Sequence, residues 1–336
     1  MARIESFRPE LAEAKKALSP TTYDFQQIGS GWIKNFPAMG EDIVIAPVGR
    51  ENHHTLRLVS TLQQTIWGAD DRFVSPSKLS NAEETGGALW LAYSAKGTDS
   101  GLYGFLYGTG GNDKYSSEML GIAEDAREAD LGWYMKIIQA YDALAKGYTS
   151  IHWTYDPLRG KNAILNIEKL AGKVDTYYFD RYGVWDSKFN GEFPTPRFGV
   201  TVDLISPRTH KRIRDIHEGR YQRFLLSDIE DFPQVTAENV EELDKKKTSV
   251  IKYEIPAIVD KLLLSERGKW IEESQKVFST LLTTETPRED KSHPEKSWRE
   301  LKQGNYTVSN VVTGFVTEND KNIRKNFYVL TRKITA

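Results

Sequence analysis

Four polar residues follow one short apolar run: Asp156, Arg159, Asn162 and Asn166, after Ser150 to Tyr155. A carboxylate, a guanidinium and two carboxamides supply acceptors, a fixed cation and two-way hydrogen-bonding groups. Beyond the C-terminal end of a strand, where α/β sheets gather ligands, such a set binds and orients a polar small molecule. Asn162 and Asn166 are four apart and share one face of a helix. The plainer reading makes Asn162 the N-cap of a helix from Ala163 and Asp156-Pro157 a turn. Glu118 lies inside another strand-like run. A carboxylate there suits proton abstraction from an ammonium group, and its plain reading is a solvated residue or one paired to a lysine. His152 alternates with Ile151 and Trp153, either facing a cleft or satisfied in the core.

Other residue types exclude chemistry. The chain has no cysteine, which removes disulfides, thiolate nucleophiles, zinc fingers and iron–sulfur clusters. The six histidines (His53, His54, His152, His210, His217 and His293) show neither His-x-x-x-His nor His-x-His spacing, so no metal is expected. Gly108, Gly110 and Gly111 lack a following phosphate-loop lysine and read as a hairpin loop. Arg208, Lys211, Arg212, Arg214, Arg220 and Arg223 form a basic run, broken by Asp215 and Glu218. It holds anionic phosphates or is a solvated helix face. Lys plus Arg number 45 and Asp plus Glu 47, a net charge of −2. That balance argues against nucleic acid or an anionic membrane as partner. No apolar run reaches the roughly 18 residues of a membrane helix, and the N-terminus lacks the apolar segment of a secretory signal. A cytoplasmic protein with a small-molecule substrate is expected, with a homodimer as an allowed state.

The elements that must position these residues follow from periodicity. The 336 residues include 8 Trp, 16 Tyr and 14 Phe, enough for a packed core and two domains. Glu5 to Leu18 reads as a polar helix and Ile43 to Pro47 as a strand. Residues 1–52 are read as an arm packed on the body. Helices are expected over Leu58 to Trp67, Ser80 to Glu84, Leu131 to Lys146, Ala163 to Leu170, Lys211 to Phe224 and Leu262 to Leu282. The clearest is Leu131 to Lys146, with Leu131, Met135, Ile138, Tyr141 and Ala145 along one stripe. Strands are expected over Ala88 to Ala95 and Leu102 to Tyr107, a hairpin through KGTDSG. Further strands are Lys114 to Ala123, Ser150 to Tyr155, Asp175 to Phe179, Arg197 to Ile205, Val250 to Ile255, Tyr306 to Val316 and Asn326 to Leu330. Thr284 to Pro294 reads as a loop. The fold class is α/β with a mixed sheet flanked by helices.

This order of elements resembles that of the GNAT acyltransferases. The segments LQQTIWGADDRFVSP, TGGALWLAYSA, GFLYG, SEMLGIAEDAREADLGWYMK, IHWTYDPLRGKNAILNIEKLAG and DRYG look like the predicted-acetyltransferase branch of that superfamily. NFYVLTRK resembles the tyrosine-containing strand that ends its long C-terminal extension. The likeness runs from about Leu56 to Lys333, and Trp153 to Asn166 is its most specific piece. It implies a GNAT-like core over 53–206 and a C-terminal domain over 207–336, either a degenerate second unit of the same kind or an accessory domain. It also implies acyl transfer from acyl-CoA, acetyl-CoA or succinyl-CoA, to the amine of a small molecule.

The resemblance assigns roles. A bulge in the strand Glu118 to Ala123 presents backbone N–H groups to acyl-CoA, with Leu120, Ile122 and Ala123 along the cofactor. Arg127, Glu128, Ala129, Asp130, Leu131 and Gly132 form the pyrophosphate loop, where a helix N-terminus offers free donors. Asn162 is a further cofactor contact. Glu118 or Asp156 accepts the proton, and His152, Arg159 and Asn166 hold substrate. Two positions depart from the family pattern. The middle glycine of the loop is Asp130, whose charge opposes a phosphate by about 4 kcal/mol at 4 Å and an effective dielectric near 20, before screening. Alternatively it caps the Leu131 helix and points away. The usual leaving-group tyrosine is also missing. Ile167 lies nearest its place, and Tyr182 is the closest substitute, or a packing residue. The alternative function is therefore a GNAT-fold protein that has lost CoA-dependent transfer, does other small-molecule chemistry in a biosynthetic route, or only binds ligand.

Overall fold

A computed structural model describes residues 9–68, 73–111, 114–183, 193–289, 297–318 and 321–334. His293 and Pro294 lie outside the described residues. In chain order the elements are α1 (Pro9–Ala17), β1 (Gln26–Ile28), β2 (Gly31–Phe36), β3 (Glu41–Pro47), α2 (His53–Trp67), α3 (Pro76–Ser80), β4 (Ala88–Ser94), β5 (Leu102–Gly110), β6 (Tyr115–Ile122), α4 (Leu131–Ala145) and β7 (Ser150–Tyr155). Then come α5 (Gly160–Ala163), β8 (Lys173–Tyr178), β9 (Arg197–Asp203), α6 (Pro207–His217), α7 (Val240–Lys245), β10 (Val250–Ile255), α8 (Leu264–Leu281), β11 (Thr284–Glu289), β12 (Ser297–Lys302), β13 (Tyr306–Glu318) and β14 (Lys321–Arg332). This is the expected α/β class, a mixed sheet with flanking helices. The chain divides into two compact units, one running to Trp153 and taking in Val202–His217, the other Thr154–Thr201 with Glu218 onward. The expected boundaries at 52 and 206 do not coincide with these units.

In the first unit β1 to β6 are antiparallel neighbours in chain order, and β7 runs parallel to β6. The stretch expected as an arm thus supplies three strands, because β3 pairs with β4 from Ile43↔Ser94 to Pro47↔Trp90. β4 and β5 are apolar on both faces, as a strand covered on both sides must be. Leu89, Leu91, Phe105 and Tyr107 pack with Leu56, Val59 and Leu62 of α2. Burying each such aliphatic side chain contributes about 1.5–3 kcal/mol. α2 begins at Asn52, whose side chain accepts from Thr55 N, and stops at Gly68 at φ 100°. α3 begins four residues earlier than expected because Ser75 caps it and Pro76 takes its first position.

α4 is apolar on more than one stripe. Trp133, Ile137, Ala140 and Leu144 are buried as well as Leu131, Met135 and Ile138, while Ala145 is exposed. The reason is a second cover from the N-terminal segment: Tyr23 stacks edge-on to Trp133 and Phe25 and Phe36 to Tyr134. α6 also belongs here, with the His217 ring 5.2 Å from Tyr23. It ends at His217, seven residues short of the expected helix, where Gly219 takes φ 68°.

In the second unit β8 pairs antiparallel with β9 and parallel with β11, and β11 with β12. β10, β14 and β13 form a three-stranded sheet. β11 replaces most of an expected loop: Thr284 and Glu285 extend the ladder from Tyr177 and Tyr178.

Candidate functional site

The first unit contains a fork between two parallel strands. β6 and β7 pair at Tyr115↔Ile151 and Ser116↔His152. From Ser117 to Ile122 the backbone of β6 is paired on its β5 side alone, among the described residues. The β5–β6 ladder passes from Tyr107↔Met119 to Gly108↔Ser117 and skips Glu118. One extra residue in a strand reverses the alternation beyond it. Tyr115 and Ser117 therefore share a face with Leu120 and Ile122, and this face meets α4. An added Cβ at Gly132 would lie 3.4 Å from Ile122 and 3.5 Å from Leu120. The first turn of α4, with its unpaired N–H groups, thus borders the free edge of β6.

Between them the chain makes a tight turn over Glu124–Ala129. Arg127 Nε donates to the Ile122 carbonyl at 3.2 Å. Asp130 stands at the N-cap position in left-handed backbone, φ 56°, and its side chain does not cap the helix. The capping alternative is thereby corrected. Left-handed backbone favours glycine, the residue the resemblance leads one to expect there. The Asp130 charge acts instead on Tyr134, whose hydroxyl is pushed up to about 12, mainly by burial. Glu128, Asp130 and Glu118 are exposed, and Glu118 accepts from Thr109 Oγ1 at 3.0 Å.

The closed end of the fork holds a group the sequence reading missed. Lys136 is 5% exposed. Its Nζ donates to Ser117 Oγ at 2.6 Å, lies 3.5 Å from Gln139 Oε1 and stands 3.9 Å above the Trp153 ring. No carboxylate is within ion-pair distance of it among the described residues. Burial without a counter-charge brings its amine down from 10.5 to about 7. Beside it the Tyr115 hydroxyl and Gln139 Nε2 are buried without a well-formed hydrogen bond. Both occupy the space a side chain at residue 108 would need: a Cβ on Gly108 would meet the Tyr115 hydroxyl at 2.8 Å and Gln139 Nε2 at 2.9 Å. Burial also raises the Tyr115 hydroxyl, so it keeps its proton. A lysine inside a helix that is apolar all round was the available signal. His152, on the opposite face of β7, is half-buried and within 3.1 Å of Ser150 Oγ.

In the second unit the Asp156 cluster is largely self-satisfied. Asp156 is 7% exposed. It accepts from Leu158 N at 2.9 Å and from Arg267 Nη2 at 3.3 Å, with Arg159 Nε 3.6 Å away. Arg159 also binds Asp260 at 2.8 Å. A carboxylate so occupied suits structure better than proton transfer. Asn162 does not cap the helix, which starts at Gly160 after Arg159. From Ile164 to Lys169 the coil widens to a π-helix, and Asn162 and Asn166 do not share an environment: Asn162 is exposed and Asn166 buried. Glu168, also buried, receives Arg223 at 2.8 Å, a pair the sequence reading missed. Elsewhere in the basic run Lys211 pairs with Asp215 along α6 and Arg220 with Glu218 beyond its end. Tyr182 is exposed, its hydroxyl 3.0 Å from Thr154 Oγ1. Tyr328, the tyrosine of the last strand, donates to the Pro157 carbonyl at 2.7 Å and meets the Tyr155 hydroxyl at 3.2 Å. It anchors the turn that follows β7.

Among the described residues no group of three or more His, Asp or Glu is placed to hold a metal ion, and no helix is long and apolar enough to cross a membrane.

No family model matches the chain, and no curated protein matches it. Solved structures similar to it are acetyltransferases. The ribosomal-protein-S18-alanine N-acetyltransferase of Escherichia coli is 12% identical over 48% of this chain and 94% of its own, with a TM-score of 0.39. An IAA acetyltransferase from Bacillus cereus is 11% identical over 48% and 99%, TM-score 0.37. An acetyltransferase of the GNAT family from Staphylococcus aureus is 14% identical over 48% and 99%, TM-score 0.34. The likeness lies in the N-terminal half, and the C-terminal extension is outside it.

Proposed function

We propose that the protein is an acyl-CoA-dependent N-acyltransferase acting on the amine of a small molecule. The observation that carries this reading is the fork itself. β6 leaves β7 after Ser116↔His152 and bulges at Glu118, and its free edge borders the first turn of α4. Free backbone donors and acceptors beside a helix N-terminus suit a ligand with an amide-bearing arm and a phosphate end. In this reading Leu120, Ile122 and Ala123 lie along the pantetheine. Arg127 to Gly132 receive the pyrophosphate on backbone N–H groups.

Transfer then needs little from side chains. The acceptor ammonium loses a proton to Glu118, directly or through water. The free amine attacks the thioester carbonyl, the C–N bond forms, and the C–S bond breaks to give CoA thiolate. N–H groups at the bulge stabilise the oxyanion that develops. The thiolate takes up a proton from solvent or the new ammonium.

The test is calorimetric titration of the full chain with acetyl-CoA and succinyl-CoA, followed by thiol release with a panel of small amines. Saturable heat and amine-dependent thiol release support the reading. No heat with either thioester ends it.

A further inference from the structure

We infer that the closed end of the β6–β7 fork is a carboxylate site, with Lys136 as counter-charge and Ser117, Gln139 and Tyr115 as further donors. Resting on the transfer reading, its ligand is the distal carboxylate of a short dicarboxylic acyl group such as succinyl.

The first argument is placement. The last paired residues of the fork are Ser116 and His152, and Lys136 touches the next residue on each strand, Ser117 at 2.6 Å and Trp153 at 3.9 Å. The amine therefore lies at the vertex. Lys136 is five residues past Leu131, about 7.5 Å along the helix from the phosphate end. A thioester held at the free edge of β6 points the end of its acyl chain toward this vertex.

The second argument is the donor set. The Tyr115 hydroxyl is a buried donor without a well-formed hydrogen bond, and Gln139 Nε2, turned toward the Tyr115 oxygen, makes no well-formed bond either. Such groups are costly unless something accepts from them. With the ammonium and the Ser117 hydroxyl they offer four donors around one point charge. A carboxylate has about four lone-pair sites and a single negative charge, which matches both counts. A phosphate would bring excess negative charge into a site with one cation, and an ammonium would meet only donors. Gly108 leaves the room in which Tyr115 and Gln139 stand.

The third argument is charge linkage. Free of ligand, the amine titrates near 7 because nothing balances it. The groups in contact with it are Ser117 on β6, Gln139 on its own helix and Trp153 on β7, none of them anionic; Asp142, which acts on Tyr115, is paired with Lys146. A bound carboxylate restores the ordinary preference for the charged form. Binding above the free value must then take up a proton.

The experiment is calorimetry of the full chain at pH 8 with acetyl-CoA, succinyl-CoA and free succinate. Each is run in two buffers of different ionisation heat. Expected are succinyl-CoA affinity at least about tenfold above that of acetyl-CoA and uptake of close to one proton with succinyl-CoA but not with acetyl-CoA. Lys136→Met removes both differences. Lys136→Gln, which keeps a partner for Ser117, does the same and controls for misfolding. Equal affinities with no proton uptake overturn the inference while leaving transfer intact. If neither thioester binds, the transfer reading falls separately. Succinate then decides: proton uptake lost in Lys136→Met upholds the carboxylate site, and none overturns it.

Discussion

Lys136 Nζ of α4 stands 3.9 Å above the ring of Trp153 on β7, beside the point where β6 and β7 part. The ring face offers the ammonium a partial partner, worth about 2 kcal/mol at most when desolvated. That is less than the cost of burying an unpaired cation, so the amine is lowered to about 7 rather than held charged.

Stability should therefore depend on pH in a set direction. Between about 7 and 10.5 the unfolded chain holds a proton on Lys136 that the folded chain does not. Stability thus rises with pH through that window, and the cost is fully present below it. The lysine contributes on the order of 4 kcal/mol to this rise. Lys136→Met, which removes the cost, should stabilise by about 1–4 kcal/mol at neutral pH. Urea unfolding from pH 6.5 to 9.5 checks both. An equal slope in the variant and the natural protein would show that Lys136 is solvated or paired.

Asp130→Gly should raise CoA affinity and leave the fold at least as stable. Its φ of 56° costs a non-glycine residue about 1–2 kcal/mol, partly offset by the entropy of the new glycine. Losing the carboxylate removes repulsion from a pyrophosphate, about tenfold in affinity after screening at this exposed position. Titration with CoA and a thermal melt measure the two. If CoA binds the variant and not the natural protein, CoA is not its cofactor.

Glu118→Gln tests the proton acceptor. The residue is exposed and held by one hydrogen bond from Thr109. Its replacement should shift stability by no more than about 0.5 kcal/mol. On the transfer reading kcat/KM falls by about 10²–10⁴. A turnover rate within twofold of the natural protein would assign the proton elsewhere.

Much of the frame was legible because strand periods and turn residues agree. Ser150–Tyr155 and Val250–Ile255 fall where the sequence predicts them, and the β4–β5 hairpin follows its glycine-rich turn. β1 escaped because it is three exposed residues, and β11 because Pro287 argues against a strand. The candidate site was less readable. Asp156 and Arg159 look like free functional groups in sequence, yet Arg267 and Asp260, more than a hundred residues away, occupy them. Lys136 looks solvated until α4 packs on the sheet and sets its amine against Ser117 of β6 and Trp153 of β7.

The Asp156 turn separates a structural from a catalytic carboxylate. Arg267 is buried against it, and Tyr328 fixes the same turn through the Pro157 carbonyl. Asp156→Asn keeps an acceptor for Leu158 N but leaves the Arg267 guanidinium without its buried counter-charge. Breaking a buried pair in this way costs about 3–5 kcal/mol. Tyr328→Phe removes the hydroxyl and strands a buried carbonyl, about 1–3 kcal/mol. The two changes touch one turn, so their costs should not add, and the double variant should lose less than their sum. Denaturant unfolding of the two single variants and the double variant measures this coupling. A catalytic carboxylate would instead give an Asp156→Asn protein of unchanged midpoint and lost turnover, and that pattern would return Asp156 to the chemistry.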